Sequence, residues 1–228
     1  MVQRRLFGEP FQHILGKATF FGRDFKVDQS VLIPRPETEL VVVNVLDQIK
    51  SLGNDRQLHI ADVGTGSGNI GIAIAKHCRN CRITAVDISK PALEIAAENA
   101  GAHGVREQIE FVHSDLLEAL PTVPTFDFIA SNPPYVRTSE FDNLPIEVRQ
   151  HEPRIALHAG EEGTDVIQHL VGQARERLRP GAWLMMEVSP MIASSVLDLL
   201  ARSPGIEDRG LVKDLAGHPR VVRAQRTE

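Results

Sequence analysis

The sequence predicts an α/β domain built on a doubly wound, mostly parallel sheet of seven strands, with a small β-hairpin at its N-terminus. Two observations predict this fold. From residue 58 onward, strand-like and helix-like segments alternate with short links, the pattern of parallel strands joined by crossover helices. The length of 228 residues, with 42% hydrophobic and 24% charged side chains, suits a single globular domain of this type.

The N-terminal part differs in pattern from the rest. Aromatic residues around a Gly-Arg-Asp turn predict a short β-hairpin over residues 18–27. Residues 31–36 are predicted to be extended, because each proline in this segment disfavours helix for the residue before it. A helix with apolar residues at helical spacing is predicted from Glu37 or Thr38 to about Lys50.

The remaining elements alternate along the chain. Strands are predicted at residues 58–63, 83–86, 109–112, 126–130, 183–188, 207–212 and 221–224. Helices are predicted at residues 70–76, 91 to about 101, 166–178 and 191–200. We expect two parts of the chain, an N-terminal hairpin and substrate-side segment at residues 1–50 and the main domain at residues 51–228.

Polar residues follow four of the predicted strands at the point where each strand ends. These clusters are Asp62–Gly68, Asp87, Ser114-Asp115 and Ser131–Tyr135. Ligands of doubly wound sheets bind beyond the carboxyl ends of the strands, where the strand order reverses. Because chance placement would scatter polar clusters to both rims of the sheet, this arrangement predicts one ligand site at the carboxyl rim.

The first cluster contains a glycine-rich turn. It consists of Gly64, Thr65, Gly66, Ser67 and Gly68. Glycines let a ligand approach the backbone closely, but the third glycine of the G-x-G-x-x-G dinucleotide motif is missing. Asp87 lies 19 positions after Gly68 (87 − 68), where an acid commonly binds ribose hydroxyls. The alternative for Asp87 is the N-cap of the next helix.

The cluster after the fourth strand is the more specific one. Asn132, Pro133, Pro134 and Tyr135 follow one another there. The side-chain oxygen of Asn132 and the carbonyl of Pro133 can both accept hydrogen bonds from one –NH2 group, and prolines add no competing N–H. Tyr135 supplies an aromatic surface for a flat group. The pattern predicts a site for a planar amide or exocyclic amine, the alternative being an ordinary proline-rich turn.

Together these motifs resemble class I methyltransferases that methylate nitrogen. The matching motifs are Asp62–Gly68, Ala85–Ser89, Asn99-Ala100, Ser114–Leu116 and Asn132–Tyr135. The segment Ile33–Glu39 narrows the resemblance to the bacterial release-factor glutamine methyltransferases, the HemK/PrmC group. Further matches to that group lie at Gly8–Pro10, Ile14, Gly16, Phe20–Phe25, Lys213–Gly217 and Arg220–Val222. The resemblance covers nearly the whole chain.

The resemblance implies a fold, an activity and a partner. The main domain would be a Rossmann-like methyltransferase domain that uses S-adenosylmethionine and releases S-adenosylhomocysteine. The methyl acceptor would be the N5 side-chain amide of the Gly-Gly-Gln glutamine in class-1 peptide chain release factors. Members of the group usually carry a helical N-terminal domain, and this sequence begins about where that domain would end. We therefore expect that domain to be missing from this chain.

The resemblance also implies the site residues. Cofactor-binding residues would be Gly64, Thr65, Gly66, Ser67, Gly68, Asp87, Ile88, Asp115, Leu116 and Asn132. Catalytic residues would be Asn132, Pro133, Pro134 and Tyr135. Substrate-binding residues would be Arg35, Glu37, Glu39, Asn132 and Tyr135.

Four other functions are alternatives. An adenine N6 amine is also a planar –NH2 group, so a nucleic-acid methyltransferase is the main alternative, although a net charge of −5 argues against binding phosphates. A ribosomal-protein glutamine methyltransferase is disfavoured by Arg35–Glu39. A nicotinamide oxidoreductase is disfavoured by the missing third glycine. A module that binds S-adenosylmethionine without turnover is disfavoured by the intact Asn132–Tyr135.

The sequence contains no pattern of a membrane span, a signal peptide or a metal site. No stretch approaches the ~20 apolar residues of a membrane span, and no signal peptide is visible, so we expect a cytoplasmic protein without a membrane partner. Cys78 and Cys81 have only His77 nearby as a further ligand, so no metal site is predicted. Two small side chains at a helix-to-strand turn are favoured over a redox pair.

Overall fold

The computed structural model describes residues 1–53 and 56–227. Its strands are β1 (Lys17–Phe20), β2 (Arg23–Lys26), β3 (Leu58–Val63), β4 (Cys81–Asp87), β5 (Ile109–His113), β6 (Phe126–Ser131), β7 (Leu178–Glu187), β8 (Ile206–Lys213) and β9 (Pro219–Arg226). β1 and β2 form an antiparallel hairpin, and the other strands form a seven-stranded sheet in the order β5-β4-β3-β6-β7-β9-β8. Strands β3 to β7 are parallel, and β9 is antiparallel to both of its neighbours. The predicted fold class is confirmed.

The α-helices in the described residues are α1 (Val2–Leu6), α2 (Phe11–Leu15), α3 (Glu39–Leu52), α4 (Asn69–His77), α5 (Lys90–Ala102), α6 (Thr138–Phe141), α7 (Ile146–His151), α8 (Asp165–Arg177) and α9 (Ala193–Ala201). Of these, α3, α4 and α5 pack on one face of the large sheet, and α8 and α9 pack on the other. Successive residues of a strand point to opposite faces. Accordingly, Ile60 and Phe128 pack in a core with α3 and α4, whereas Ala61 and Ile129 pack in a second core with α8 and α9.

The N-terminal hairpin shares the first of these cores. Phe20 and Phe25 are fully buried and belong to the same apolar cluster as Val41, Val42 and Val45 of α3. The hairpin and α3 are therefore packed onto the main sheet. The division of the chain into residues 1–50 and 51–228 stays a prediction.

The reversal of strand order falls between β3 and β6. From β3 the chain moves outward to β4 and β5 and then returns to place β6 on the other side of β3. Two loops diverging from adjacent parallel strands open a crevice between them at their carboxyl ends. The glycine-rich turn after β3 and Asn132 after β6 lie on the two sides of that crevice.

The structure differs from the sequence predictions in several local elements. The short helices α1, α2, α6 and α7 were not predicted, because segments of four to six residues carry too little periodicity. β7 begins at Leu178 instead of Trp183, since a register shift against β6 accommodates the intervening turn-like residues.

Cys78 and Cys81 lie at the expected helix-to-strand turn but are joined by a disulfide, which corrects the prediction of two separate small side chains. No helix in the described part of the chain has the length and apolar character to cross a bilayer.

Candidate active site

A cavity opens at the predicted rim of the sheet. Its empty volume, which includes open solvent at the mouth, is about 1080 Å³. The predicted site residues that line it are Arg35, Gly64, Thr65, Gly66, Ser67, Asp87, Ile88, Asp115, Leu116, Asn132 and Pro134. The loops after β3, β4, β5 and β6 thus meet at one site, with the extended segment of residues 30–35 on another side.

The glycine-rich turn gives this cavity a wall made of backbone. Gly64 and Gly66 have φ values of 68° and 54°, a region that disfavours side chains, and a Cβ at either position would find open space within 4 Å. Gly68 serves packing instead, because a Cβ there would lie 2.8 Å from Ile72 Cδ1. The first two glycines therefore leave room for a ligand beside the backbone, and Gly68 lets α4 begin close to α5.

Asp87 lies at the end of β4 and faces the cavity. Its carboxylate accepts hydrogen bonds from the backbone N–H groups of Gly66 and Ser89, both at 2.9 Å. Burial raises the pKa of Asp87, and the backbone hydrogen bonds oppose that rise. A carboxylate has about four acceptor positions, so acceptor capacity remains for a pair of ligand hydroxyls. The N-cap of α5 is Ser89, which accepts from the Ala92 N–H at 3.3 Å, so the alternative role of Asp87 as N-cap is wrong.

Asp62 supports the glycine-rich turn from beneath. It is fully buried and accepts hydrogen bonds from Thr65 Oγ1 at 2.6 Å and from the Gly71 N–H at 2.9 Å. Burial raises its pKa to about 6. Within the described residues its other oxygen, Oδ1, has no hydrogen-bond partner. The two bonds fix the turn against the start of α4.

Asn99 ties the N-terminal hairpin to the same turn. Its side chain donates to the carbonyl oxygens of Ser67 at 2.8 Å and of Lys26 at 3.0 Å, and it accepts from the Lys26 N–H at 2.8 Å. Asn99 is buried, so each of these bonds forms away from water. This explains the presence of an asparagine in the middle of α5.

Asn132 and Pro134, from the segment after β6, form the opposite wall. Asn132 Nδ2 donates to Thr38 Oγ1 at 3.1 Å, which leaves the amide oxygen free of that contact. Thr38 Oγ1 in turn donates to Glu187 Oε2 at 2.5 Å. Pro133 is buried, Pro134 lines the cavity, and Tyr135 is half-buried. Burial, followed by the nearby Glu187 carboxylate, raises the pKa of Tyr135 to about 12.

The residues predicted to bind substrate are held by ion pairs and hydrogen bonds. Arg35 Nη2 lies 2.6 Å from Glu152 Oε1. Glu37 Oε1 lies 3.8 Å from Arg220 Nη2. Glu39 Oε1 accepts a hydrogen bond from the Phe21 N–H at 2.8 Å and so anchors the β1–β2 turn. The structure thus brings Arg35 to the cavity wall, while Glu37 and Glu39 lie outside its lining.

Gly68, Pro133 and Tyr135 are also absent from the residues that line the cavity. Sequence reasoning missed Thr38 and Glu187, which contact Asn132 directly and through one intermediary. A signal for Glu187 was available, because it ends β7 at the carboxyl rim, where polar residues were already expected. No such signal marked Glu152, whose partner Arg35 lies 117 positions away.

The sheet order, the glycine-rich wall and the acid at the end of β4 define a methyltransferase fold. A methyltransferase structure from Pyrococcus furiosus superposes with a TM-score of 0.65 at 16% identity, covering 100% of this chain and 98% of that one. The Methyltransferase small domain family matches residues 41–147.

Sequence relatives identify the family. The chain is 43% identical over 227 residues to the release factor glutamine methyltransferase of Rhodopirellula baltica, covering 99% of this chain and 77% of that protein. It is 43% identical over 221 residues to the release factor glutamine methyltransferase of Koribacter versatilis, covering 97% of this chain and 76% of that protein. The chain therefore belongs to the release factor glutamine methyltransferase family, which confirms the predicted family and the prediction of a methyltransferase.

Proposed function

We propose that this protein transfers a methyl group from S-adenosylmethionine to the N5 amide of the Gly-Gly-Gln glutamine in a class-1 peptide chain release factor. The observation that carries the proposal is the orientation of Asn132. Its –NH2 group is committed to Thr38, so its oxygen is the atom left to accept a hydrogen bond from a substrate –NH2. The release-factor names of the relatives support the choice of acceptor. Such a partner acts in the cytoplasm.

The cavity fits the methyl donor at several points. Gly64 and Gly66 leave space beside the backbone, and Asp87 retains acceptor capacity for the two ribose hydroxyls. Ile88 and Leu116 offer apolar surface for the adenine, with Asp115 at its edge. Leu116 has a φ of 50°, which is uncommon for a residue with a side chain and is consistent with a binding loop held in one conformation.

The chemistry requires little from the protein beyond orientation. When bound, S-adenosylmethionine supplies an electrophilic methyl group on a positively charged sulfur and leaves as S-adenosylhomocysteine. An amide nitrogen is a poor nucleophile, because its lone pair is delocalised into the carbonyl group. Holding that nitrogen in line with the methyl carbon at about 3 Å is therefore the main task of this chain's residues.

Asn132 and Pro133 would perform that task through two acceptors. The amide oxygen of Asn132 and the carbonyl of Pro133 would accept the two N–H bonds of the glutamine amide, while Tyr135 packs against its plane. These hydrogen bonds strengthen as the nitrogen gains positive character, so they stabilise the transition state more than the bound substrate. After transfer the nitrogen releases one proton to solvent, which requires no strong base in the site.

The substrate side would be completed by residues of the N-terminal segment. Arg35 lines the cavity, whereas Glu37 pairs with Arg220 at the start of β9, outside the residues that line it. We assign Arg35 and Glu37 to contacts with the polypeptide around the glutamine. Glu39 would act at a distance, by holding the β1–β2 turn in place.

Transfer of labelled methyl groups tests the proposal. The protein is incubated with methyl-labelled S-adenosylmethionine and either a purified class-1 release factor or the same factor with its Gly-Gly-Gln glutamine replaced by alanine. We expect label on the first and none on the second. Equal label on both would contradict the proposed acceptor. Tight binding of S-adenosylmethionine without label on any protein, together with label on DNA or RNA, would favour the nucleic-acid alternative.

A further inference from the structure

Three segments far apart in sequence meet in one chain of hydrogen bonds behind the proposed substrate amide. Asn132 follows β6, Thr38 ends the 3-10 turn Pro36–Thr38, and Glu187 is the last residue of β7. Asn132 Nδ2 donates to Thr38 Oγ1, and Thr38 Oγ1 donates to Glu187 Oε2. Thr38 is 1% exposed and Glu187 is 2% exposed, so water does not compete for these bonds.

When Glu187 is ionised, its carboxylate fixes which group donates and which accepts in each of these hydrogen bonds. A carboxylate can only accept hydrogen bonds, so the single proton of the Thr38 hydroxyl must point to it. The Thr38 oxygen then presents only lone pairs to Asn132, and the amide must turn its –NH2 group toward Thr38. The amide oxygen consequently faces away from Thr38. No other assignment of donors satisfies both bonds when Glu187 is charged.

We propose that Glu187, acting through Thr38, is a positioning residue that fixes which face of the Asn132 amide meets the substrate. This inference rests on the proposed function, because it gives the reason why Asn132 offers an acceptor to the glutamine –NH2. A flipped amide would present its own –NH2 group there, and two donors would face one another. Glu187 itself does not contact the substrate in this arrangement.

Protonation of Glu187 would remove this fixed assignment of donors and acceptors. A carboxylic acid can donate to Thr38, and the Thr38 hydroxyl can then donate to either atom of a freely flipping Asn132 amide. The pKa of Glu187 is raised to about 7, chiefly by burial. The hydrogen bond from Thr38 opposes this rise, Glu37 adds to it, and Arg220 and Arg35 lower the pKa. Tyr135 faces the same carboxylate, but its own pKa of about 12 keeps it neutral in this range. Activity is therefore expected to fall as the pH drops through about 7.

A purely structural role predicts a different outcome. If Glu187 only held β7 and the 3-10 turn together, its replacement would lower stability and activity in parallel. Glutamine at this position keeps the size and an oxygen that can accept from Thr38, but it can also donate. Glu187→Gln should therefore leave the fold intact but allow the Asn132 amide to adopt either orientation.

Nuclear magnetic resonance of the Asn132 side chain tests the inference without relying on turnover. In the 15N-labelled protein, the –NH2 resonances of Asn132 are assigned by their loss in Asn132→Ala. We expect them to shift with an apparent pKa near 7 in the wild type and not in Glu187→Gln. Resonances that ignore pH in the wild type, or that titrate identically in Glu187→Gln, would overturn the inference.

Kinetics with the release factor provide the second readout. We expect Glu187→Gln and Thr38→Val each to lower kcat at pH 8 by tenfold or more, with the affinity for S-adenosylmethionine unchanged. Thr38→Ser keeps the hydroxyl and should restore most of the activity. The acid limb of the wild-type pH profile should vanish in Glu187→Gln, which distinguishes it from titration of Asp62. A Glu187→Gln enzyme with wild-type kcat and an unchanged acid limb would contradict the inference.

A matched control removes another buried carboxylate at the opposite rim. Asp127 lies in β6 and pairs with Arg56 and Arg179, far along the strand from Asn132. Asp127→Asn should lower stability but leave kcat and its pH profile unchanged. If the wild type methylates no release factor while the Asn132 resonances still titrate through Glu187, the proposed function fails and the positioning of Asn132 stands.

Discussion

The two walls of the cavity are built by different means. The cofactor wall is one continuous stretch after β3, in which Gly64 and Gly66 shape the backbone and Asp62 and Asp87 hold it by hydrogen bonds to N–H groups. The substrate wall joins Thr38, Asn132 and Glu187. β6 and β7 pair as neighbouring strands and place Asn132 and Glu187 side by side, and Thr38 joins them from another element through side-chain hydrogen bonds. The comparison teaches that the shape of a backbone wall can be recognised from a local run of glycines, although distant residues such as Asp87 and Asn99 also hold it. A wall made of side chains is defined only by long-range packing.

The largest expected effect lies on the substrate wall. Asn132→Ala removes the acceptor for the substrate amide, so kcat should fall by about 10²–10³, the range seen when one preorganised group is removed from a transition state. Single-turnover kinetics with the release factor measure this loss, and calorimetry measures the affinity for S-adenosylmethionine. A kcat within threefold of the wild type would show that Asn132 does not orient the reacting amide, and the proposed difference in role between the two walls would be wrong.

The second effect is a loss of folding stability when Glu187 ionises. The pKa of Glu187 is raised from 4.5 to about 7, so its stabilising contribution is complete below the unfolded value and is lost as pH rises through 7. That loss is on the order of 3 kcal/mol, and Glu187→Gln should avoid it.

Urea unfolding at pH 5 and pH 8 checks this sign. We expect Glu187→Gln to gain stability relative to the wild type at pH 8 and to lose that advantage at pH 5. A variant less stable than the wild type at pH 8 would show that the carboxylate is a net structural asset. Glu187 would then stabilise the fold, as Asp62 and Asp87 stabilise the glycine-rich turn of the cofactor wall.

On the cofactor wall, Asp87→Ala should weaken binding and spare the chemistry. Loss of hydrogen bonds to a charged group costs about 1.5–3 kcal/mol, which corresponds to roughly a tenfold to hundredfold rise in the Kd for S-adenosylmethionine. With saturating S-adenosylmethionine, kcat should stay close to that of the wild type. A large fall in kcat with unchanged Kd would place Asp87 in the substrate-orienting machinery instead.

The smallest expected effect is at the joint between hairpin and glycine-rich turn. Asn99→Ala breaks three hydrogen bonds, so the Lys26 N–H, the Lys26 carbonyl and the Ser67 carbonyl each lose Asn99 as a partner. The free energy of unfolding should fall by about 1–3 kcal/mol, as expected for buried unsatisfied groups. Thermal melting measures the change. An unchanged melting temperature would mean that the hairpin does not depend on Asn99.

The sequence predicted most of the fold from local patterns, and the predicted site residues that line the cavity come from local patterns too. Alternating strands and helices are local patterns, and so are the glycine-rich turn and Asp87, which the structure brings to one cavity. Thr38 lay inside a recognised motif, but its bond to Asn132 spans 94 positions, and that of Glu187 to Thr38 spans 149. Contacts of this kind follow from how α3 packs against the sheet, which no local pattern contains.

The measurement that tests the central claim most directly is the position of the transferred methyl group. The release factor is incubated with this protein and trideuteromethyl S-adenosylmethionine, and its peptides are sequenced by mass spectrometry. We predict one trideuteromethyl group on the side-chain nitrogen of the Gly-Gly-Gln glutamine with the wild type, and a strongly reduced amount with Asn132→Ala. A methyl group on any other residue, or equal methylation by Asn132→Ala, would contradict the account.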